Sequence, residues 1–258
     1  MMTVSNLASL WKAVVATSML VAACPAWAQT VDALVRAHDL YNKRQYAEAI
    51  QAAADARKLP VQADSAMVVM GRAHLERFRQ AADAADLDRA RQLLPPLESA
   101  KLAPRDRLDW TIAMAELLYF DRRFSTAAEF FETALAHVAE LEPEARDWLI
   151  EWWASALDQQ AQVSTEAERR PIYVRILTRA EDELKHDDRS PTAAYWLSAS
   201  AVGVGDLDRA WAAAEAAWLR AASAGPAGAK LRDDLDRDRK STRLNSSHVS
   251  ESRMPSSA

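Results

Sequence analysis

The chain of 258 residues carries 32 basic and 37 acidic side chains, a formal net charge of −5 at neutral pH, and only 5 glycines and 1 cysteine. An acidic chain without a basic stripe is a poor match for nucleic acid or for an anionic membrane surface. The single thiol, Cys24, excludes an intramolecular disulfide and a zinc site built on cysteines.

Lys12 precedes an apolar run from Ala13 to Ala23, and Ala26 and Ala28 then form a small-x-small site before Gln29. This is the pattern of a secretory signal peptide over residues 1–28, and its apolar run falls short of the ~20 residues that span a bilayer. A competing cut exists at "VAAC", Val21 to Cys24, which resembles the bacterial lipobox; there Cys24 would be lipidated and become the first residue. The sequence therefore predicts a periplasmic or secreted chain released near Ala28, with a lipid-anchored form through Cys24 as the alternative. A chain cut after Ala28 has no thiolate nucleophile.

Beyond the leader, alanine is abundant and apolar residues recur at three- and four-residue spacing, which predicts helix throughout. Breaks are expected at residues 42–45, 59–63, 103–105, 121–123, 140–143, 163–170, 187–191 and 203–205. Ser190 can cap a helix that has Pro191 at its first position, and Pro143 opens another. Thr165 and Glu168 have capping-box spacing, but Pro171 places the start of that helix nearer residue 171.

Four segments share one frame: "QYAEAIQAAADA" from Gln45, "DLDRARQLL" from Asp86, "RFSTAAEFFETALA" from Arg123 and "DLDRAWAAAEAAW" from Asp206. In each, an aromatic residue or leucine (Tyr46, Leu87, Phe124, Leu207) is followed three residues on by alanine (Ala49, Ala90, Ala127, Ala210), and four later come Ala53, Leu94, Phe131 and Ala214. A small residue lies nine positions upstream of the aromatic or leucine in three units (Ala37, Ala115, Ser198); Gly71 lies sixteen upstream of Leu87, as a longer loop would require. These residues, with "YNKRQYAEAIQAAADARKLP" as the best match, resemble the tetratricopeptide repeat, a helix-turn-helix of about 34 residues. The resemblance covers nearly all of residues 29–223 and implies an all-α, right-handed α-solenoid of about five helix-turn-helix units. Residues 224–237 read as the start of a further helix. In the repeated "DLDRA", Asp86 and Asp206 are expected to cap the second helix, Leu87 and Leu207 to fill the turn, and Ala90 and Ala210 to sit at the helix crossing.

Nothing in this pattern nominates a catalyst, a cofactor or a metal. His38, His74, His137 and His186 never pair at ligand spacing, "HDD" at His186 to Asp188 reads as a solvated turn, and "GVG" at Gly203 to Gly205 reads as a turn after a helix and not as a phosphate loop. The tryptophans Trp110, Trp148, Trp152, Trp153, Trp196, Trp211 and Trp218 are expected in the core, since each can bury about 150 to 250 Å². Trp211, Ala214, Trp218 and Ala221 make an apolar stripe where a terminal repeat ordinarily shows a polar face. The tetratricopeptide resemblance further implies a concave ligand face lined by first helices, which would carry His38, Tyr41, Asn42, Arg72, Glu76, Glu116 and Tyr119. The Lys and Asn pattern that clamps a peptide carboxylate in some such proteins is missing at the matching positions. The expected partner is a protein or peptide. The alternatives are an envelope lipoprotein serving a transporter or outer-membrane assembly complex, and the helical arm of an enzyme whose catalytic domain lies beyond residue 237. Finally, "DRKSTRLNSSH" and "SRMPSSA" read as a translated sequencing adapter, so residues 238–258 are expected to be foreign to the natural chain.

An intact-mass measurement on the exported chain separates the two leader readings: a polypeptide beginning at Gln29 is expected, and a diacylated polypeptide beginning at Cys24 establishes the anchored form.

Overall fold

The computed structural model describes residues 26–137 and 143–221, with Ala229, Arg232, Asp233, Leu235 and Asp236 beyond them. Residues 1–25, with Cys24 and most of the expected signal peptide, most of residues 224–237 and all of residues 238–258 lie outside the described residues. Ten α-helices run in order among the described residues: α1 (Ala26–Asn42), α2 (Tyr46–Ala56), α3 (Ala63–Ala81), α4 (Ala84–Leu93), α5 (Pro104–Phe120), α6 (Phe124–Leu135), α7 (Pro143–Val163), α8 (Glu166–His186), α9 (Pro191–Val204) and α10 (Leu207–Ala221). No described residue lies in a strand, so the chain is all-α. It divides into two compact units, residues 1–113 and 114–258. Within the first, α1 packs on α2, α2 on α3, α3 on α4, and α1 also on α3; within the second, α6 to α10 pack in chain order and α7 also meets α9. Each unit is thus built as an α-solenoid is, hairpin upon hairpin, with alternate helices side by side.

The internal repeat is written most plainly in the turns. Arg44, Arg122 and Gly205 have φ of 60°, 60° and 82°, the left-handed region. In the first turn Arg44 N–H donates to Tyr41 O (2.9 Å) and Gln45 N–H to Leu40 O (2.9 Å); in the second, Arg122 N–H donates to Tyr119 O (2.9 Å) and Arg123 N–H to Leu118 O (2.9 Å). In the third, Gly205 N–H donates to Val202 O (3.0 Å) and Asp206 N–H to Ala201 O (2.9 Å). All three are the same Schellman closure, which satisfies carbonyls that the helix end leaves bare. Seven residues before each left-handed position stands the small residue of the sequence frame, Ala37, Ala115 or Ser198, and all three are buried. Ser198 sits close enough to its partner helix for its hydroxyl to donate to Ala210 O at 3.0 Å.

The second hairpin departs from the frame, and not through a longer loop. Only Ala82 and Asp83 separate α3 from α4; Ala82 takes φ 54° and its N–H donates to Phe78 O, and Asp83 caps α4 by accepting from Ala85 N–H at 3.0 Å. The extra residues are helical. Asp86 is consequently not a cap: it lies inside the first turn of α4 at 4% exposure, where it bonds to His74 Nδ1 (2.7 Å) and pairs with Arg77 Nε (3.2 Å). Asp206 does cap, accepting from Arg209 N–H at 3.1 Å. The leucines part company too, since Leu87 is 7% exposed and Leu207 60%. Of the repeated pentapeptide, only the alanine does the same job twice, with Ala90 and Ala210 both buried at the crossing.

Two other expectations need correction. The sixth break shrinks to Ser164 and Thr165, because Glu168 accepts from both the Thr165 N–H (3.1 Å) and its hydroxyl (2.8 Å) and starts α8 there, with Pro171 held inside the helix. Gly203 is a residue of α9 and not of the turn; a Cβ there would strike the Tyr173 ring at 2.3 Å. The connection after α4 is pinned from α5 by Trp110, whose indole N–H donates to Leu94 O (2.9 Å), and by Arg107, which donates to Ser99 O (3.0 Å) and Leu102 O (3.1 Å). In the second unit, buried Glu183 is clamped by Arg146 Nε (2.9 Å) and Arg179 Nε (2.8 Å), so its charge is met from both sides.

Two substitutions are expected to move stability in opposite directions, read by urea unfolding. Arg44→Gly relieves a left-handed residue that has a Cβ and should add about 1 kcal/mol. Gly71→Ala places a Cβ 2.5 Å from Leu94 Cδ2, and Leu94 is fully buried. Overpacking of this kind costs about 1 to 3 kcal/mol, against about 1 kcal/mol gained in helix propensity, so a net loss is expected that Leu94→Ala partly relieves.

Candidate functional site

The seven residues assigned to a ligand face fall in both compact units, and the structure treats them unequally. In the first unit, the Arg72 guanidinium lies 4.4 Å above the Tyr41 ring, and Arg72 Nη1 pairs with Asp109 Oδ1 at 2.6 Å. Tyr41 in turn meets the edge of Tyr46 at 5.5 Å. The Tyr46 hydroxyl donates to Glu76 Oε2 across a long 3.4 Å, and Glu76 Oε1 accepts from Arg79 at 2.9 Å. Tyr46 is held above the ordinary phenol value by burial first and by Glu76 second. His38 is half-buried and its pKa is lowered from 6.5 by that burial, with Asp109 and Asp106 working against the shift and Arg105 and Arg72 with it. Asp106 also accepts from the Ser65 hydroxyl at 2.5 Å. Asn42 stands exposed at the end of α1.

His38, Tyr41 and Arg72 are therefore one neighbourhood, with Glu76 linked to it through Tyr46. The aspartates that complete it, Asp106 and Asp109, were not singled out from the sequence. The signal was present in "PRDRLDW", where two acids three apart share one helix face.

In the second unit, Glu116 is 4% exposed within α5, so its carboxylate belongs to the interior and not to a ligand face. Tyr119 does lie at a partly open surface, in an aromatic cluster: its ring centroid is 5.0 Å from Trp152, 5.4 Å from Phe124 and 6.0 Å from Phe120, and Trp148 stands 5.7 Å from Trp152. Beside it runs a face of α7 that the sequence did not reveal. Glu151 and Asp158 are seven residues apart, hence nearly in line on the helix, and each accepts from a neutral donor on a later helix. Trp196 Nε1 donates to Glu151 Oε2 at 2.8 Å, and the Tyr173 hydroxyl donates to Asp158 Oδ1 at 2.7 Å. Gln162 Nε2 adds a bond to Asp158 Oδ2 at 2.7 Å. One turn before Glu151, Asp147 accepts from the Ser190 hydroxyl at 2.8 Å, and burial raises its pKa. Burial raises Tyr119 and Tyr173 as well; Asp158 adds to both, and Glu151 to Tyr119. The donors that fix these carboxylates, an indole, a phenol, an amide and a serine hydroxyl, are neutral groups.

Other residues weighed from the sequence are consumed locally. Ser190 accepts from Ala193 N–H at 3.1 Å while donating to Asp147, so its hydroxyl serves as a helix cap. His186 Nδ1 bonds to Asp182 O at 2.7 Å, and Asp187 accepts from Arg189 N–H at 3.0 Å. Of the tryptophans, Trp153 and Trp196 are buried, Trp110, Trp148 and Trp152 are partly so, and Trp211 and Trp218 are 50% and 43% exposed, outside the core and in keeping with the apolar stripe read from their spacing. No family model matches this chain, and no curated protein matches it.

The His38 neighbourhood carries a pH signature. With the folded pKa lowered below 6.5, the folded chain binds fewer protons than the unfolded one between that lowered value and 6.5. Stability contributed there is complete above 6.5 and falls as the pH drops through the window. Urea midpoints at about pH 7.5 and about pH 5 should show the wild type losing more on acidification than His38→Gln.

Proposed function

We propose that this chain is an exported scaffold of the tetratricopeptide kind, which binds a protein or peptide partner and performs no chemistry of its own. The three equal Schellman turns, each seven residues after a buried small residue, support the repeat reading. The observation that carries the binding reading is the α7 face of the second unit. There Asp158 accepts from the Tyr173 hydroxyl and the Gln162 amide, and Glu151 from the Trp196 indole, beside the partly open Tyr119 and Trp152 rings. Such a face suits an extended peptide carrying lysine or arginine beside an apolar side chain: the carboxylates meet the cation, and the rings meet either the apolar group or the guanidinium plane. Tyr41, Arg72 and Asp109 in the first unit are tied to one another, and we assign them to holding their helices together.

The anchored alternative, in which Cys24 carries lipid and the scaffold serves an envelope transporter or assembly complex, keeps the same binding face and differs only in where the chain resides.

Selection of a random peptide library on the full chain tests this. Enriched peptides should be rich in Lys or Arg with an adjacent aromatic or aliphatic residue, and Asp158→Lys together with Glu151→Lys should reduce their binding by about tenfold or more. Absence of any enrichment, or enrichment unchanged by the double substitution while the variant remains folded by circular dichroism, overturns the assignment of this face.

A further inference from the structure

The last hairpin presents a second surface that the binding face above does not explain. Along α10, Leu207, Trp211, Ala214, Trp218 and Ala221 follow one another at alternating spacings of four and three, which keeps them in a single stripe down the helix. The far end of the stripe is covered: Ala217 and Ala221 are buried with Leu235 and Ala194. The Arg232 guanidinium lies 4.5 Å over the Trp218 ring, and its Nε donates to Trp218 O at 3.4 Å. The near end is open, with Leu207 60% and Trp211 50% exposed. Between the two lies a cavity of about 300 Å³ lined by Trp211, Ala214, Glu215, Trp218, Leu219, Leu235 and Asp236, at the small end of the range for ligand pockets.

Charge decides what fits. Asp208 and Glu215, both exposed, are seven residues apart on α10 and flank the stripe on one side, while Asp236 stands on the other wall of the cavity. Arg209, two residues after Leu207, pairs with Glu181. Along α10 the rim is therefore acidic beside an apolar floor. Arg232 on Trp218 shows that these indoles accept a guanidinium face.

We propose that this groove is a docking site for an amphipathic helix of a partner protein, whose apolar residues cover Leu207 and the cavity and whose lysine or arginine side chains reach Trp211 between Asp208 and Glu215. A second copy of this chain fits poorly, because pairing α10 with itself brings Asp208 and Glu215 against the same acidic residues. An anionic bilayer is disfavoured by the same charges. The proposal is independent of the α7 face and stands if that face binds nothing.

The test is calorimetric titration of the full chain with two synthetic helical peptides of identical leucine and alanine pattern, one carrying lysine on its polar face and one glutamate. The lysine peptide should bind at one site and the glutamate peptide should not. Asp208→Lys with Glu215→Lys should weaken the lysine peptide by about tenfold or more, and Trp211→Ala by about tenfold. Glu48→Lys with Glu129→Lys makes the same change in net charge on exposed residues elsewhere and should leave the affinity within about twofold. These are surface positions, so folding is retained, and circular dichroism checks it. Equal binding of the two peptides, no binding of either, or an equal loss in the Glu48/Glu129 control overturns the proposal. So does sedimentation showing a dimer that Trp211→Ala abolishes, which would assign the groove to a second copy.

Discussion

Two helices approach only as closely as the side chains at their crossing permit, and here those side chains are nearly all alanine, glycine or serine. Ala37, Ala115 and Ser198 on first helices, and Ala49, Ala90, Ala127 and Ala210 on second helices, are all buried. Close approach has a direct cost in contact area, because an alanine offers little surface to remove from water. The larger residues one turn on, such as fully buried Phe131 and Leu94, make up the difference by filling the wedge that opens as the helices diverge. Gly71 shows how tight the arrangement is, since the Leu94 side chain occupies the space its Cβ would need. The turns follow from the same requirement: a hairpin whose helices touch needs a short connection, and the left-handed closure at Arg44, Arg122 and Gly205 supplies one even where no glycine is present.

The all-helical nature of the chain, most of its breaks and its crossing residues could be read from spacing alone, because periodicity reports which side of a helix is apolar. Periodicity does not report what stands opposite. The two copies of "DLDRA" are the clearest case. Helix α4 begins a turn earlier than its sequence frame suggests, which moves Asp86 from the helix end to a buried position beside His74 and Arg77, whereas Asp206 keeps its place at the start of α10. Leu87 and Leu207 differ for a related reason, as one is covered and the other left open. Pro171 misled in a local way: the bonds from Thr165 to Glu168 outweigh a proline in the second turn of the helix that follows.

The candidate site was less legible than the fold. The tetratricopeptide resemblance implies one face for Tyr41, Arg72 and His38, but their pairing with Asp109 and Asp106 needed a third helix whose approach no motif announces. Glu116 falls on the face that the resemblance implies and is nevertheless interior. Glu151 and Asp158 acquire meaning only through Trp196 and Tyr173, donors that are 45 and 15 residues away in the chain. Side chains that bond across helices are the part of a stacked-hairpin protein that a single sequence conceals best.

The tryptophans are distributed unevenly between the two compact units. The first unit carries Trp11, Trp27 and Trp110, whereas Trp148, Trp152, Trp153, Trp196, Trp211 and Trp218 all belong to the second. Indole emission therefore weighs the second unit more heavily, while the peptide-bond signal weighs both halves by length. A chain whose two halves melt separately would show two different midpoints by these two optical methods, and one that melts as a single cooperative body would show the same midpoint in both.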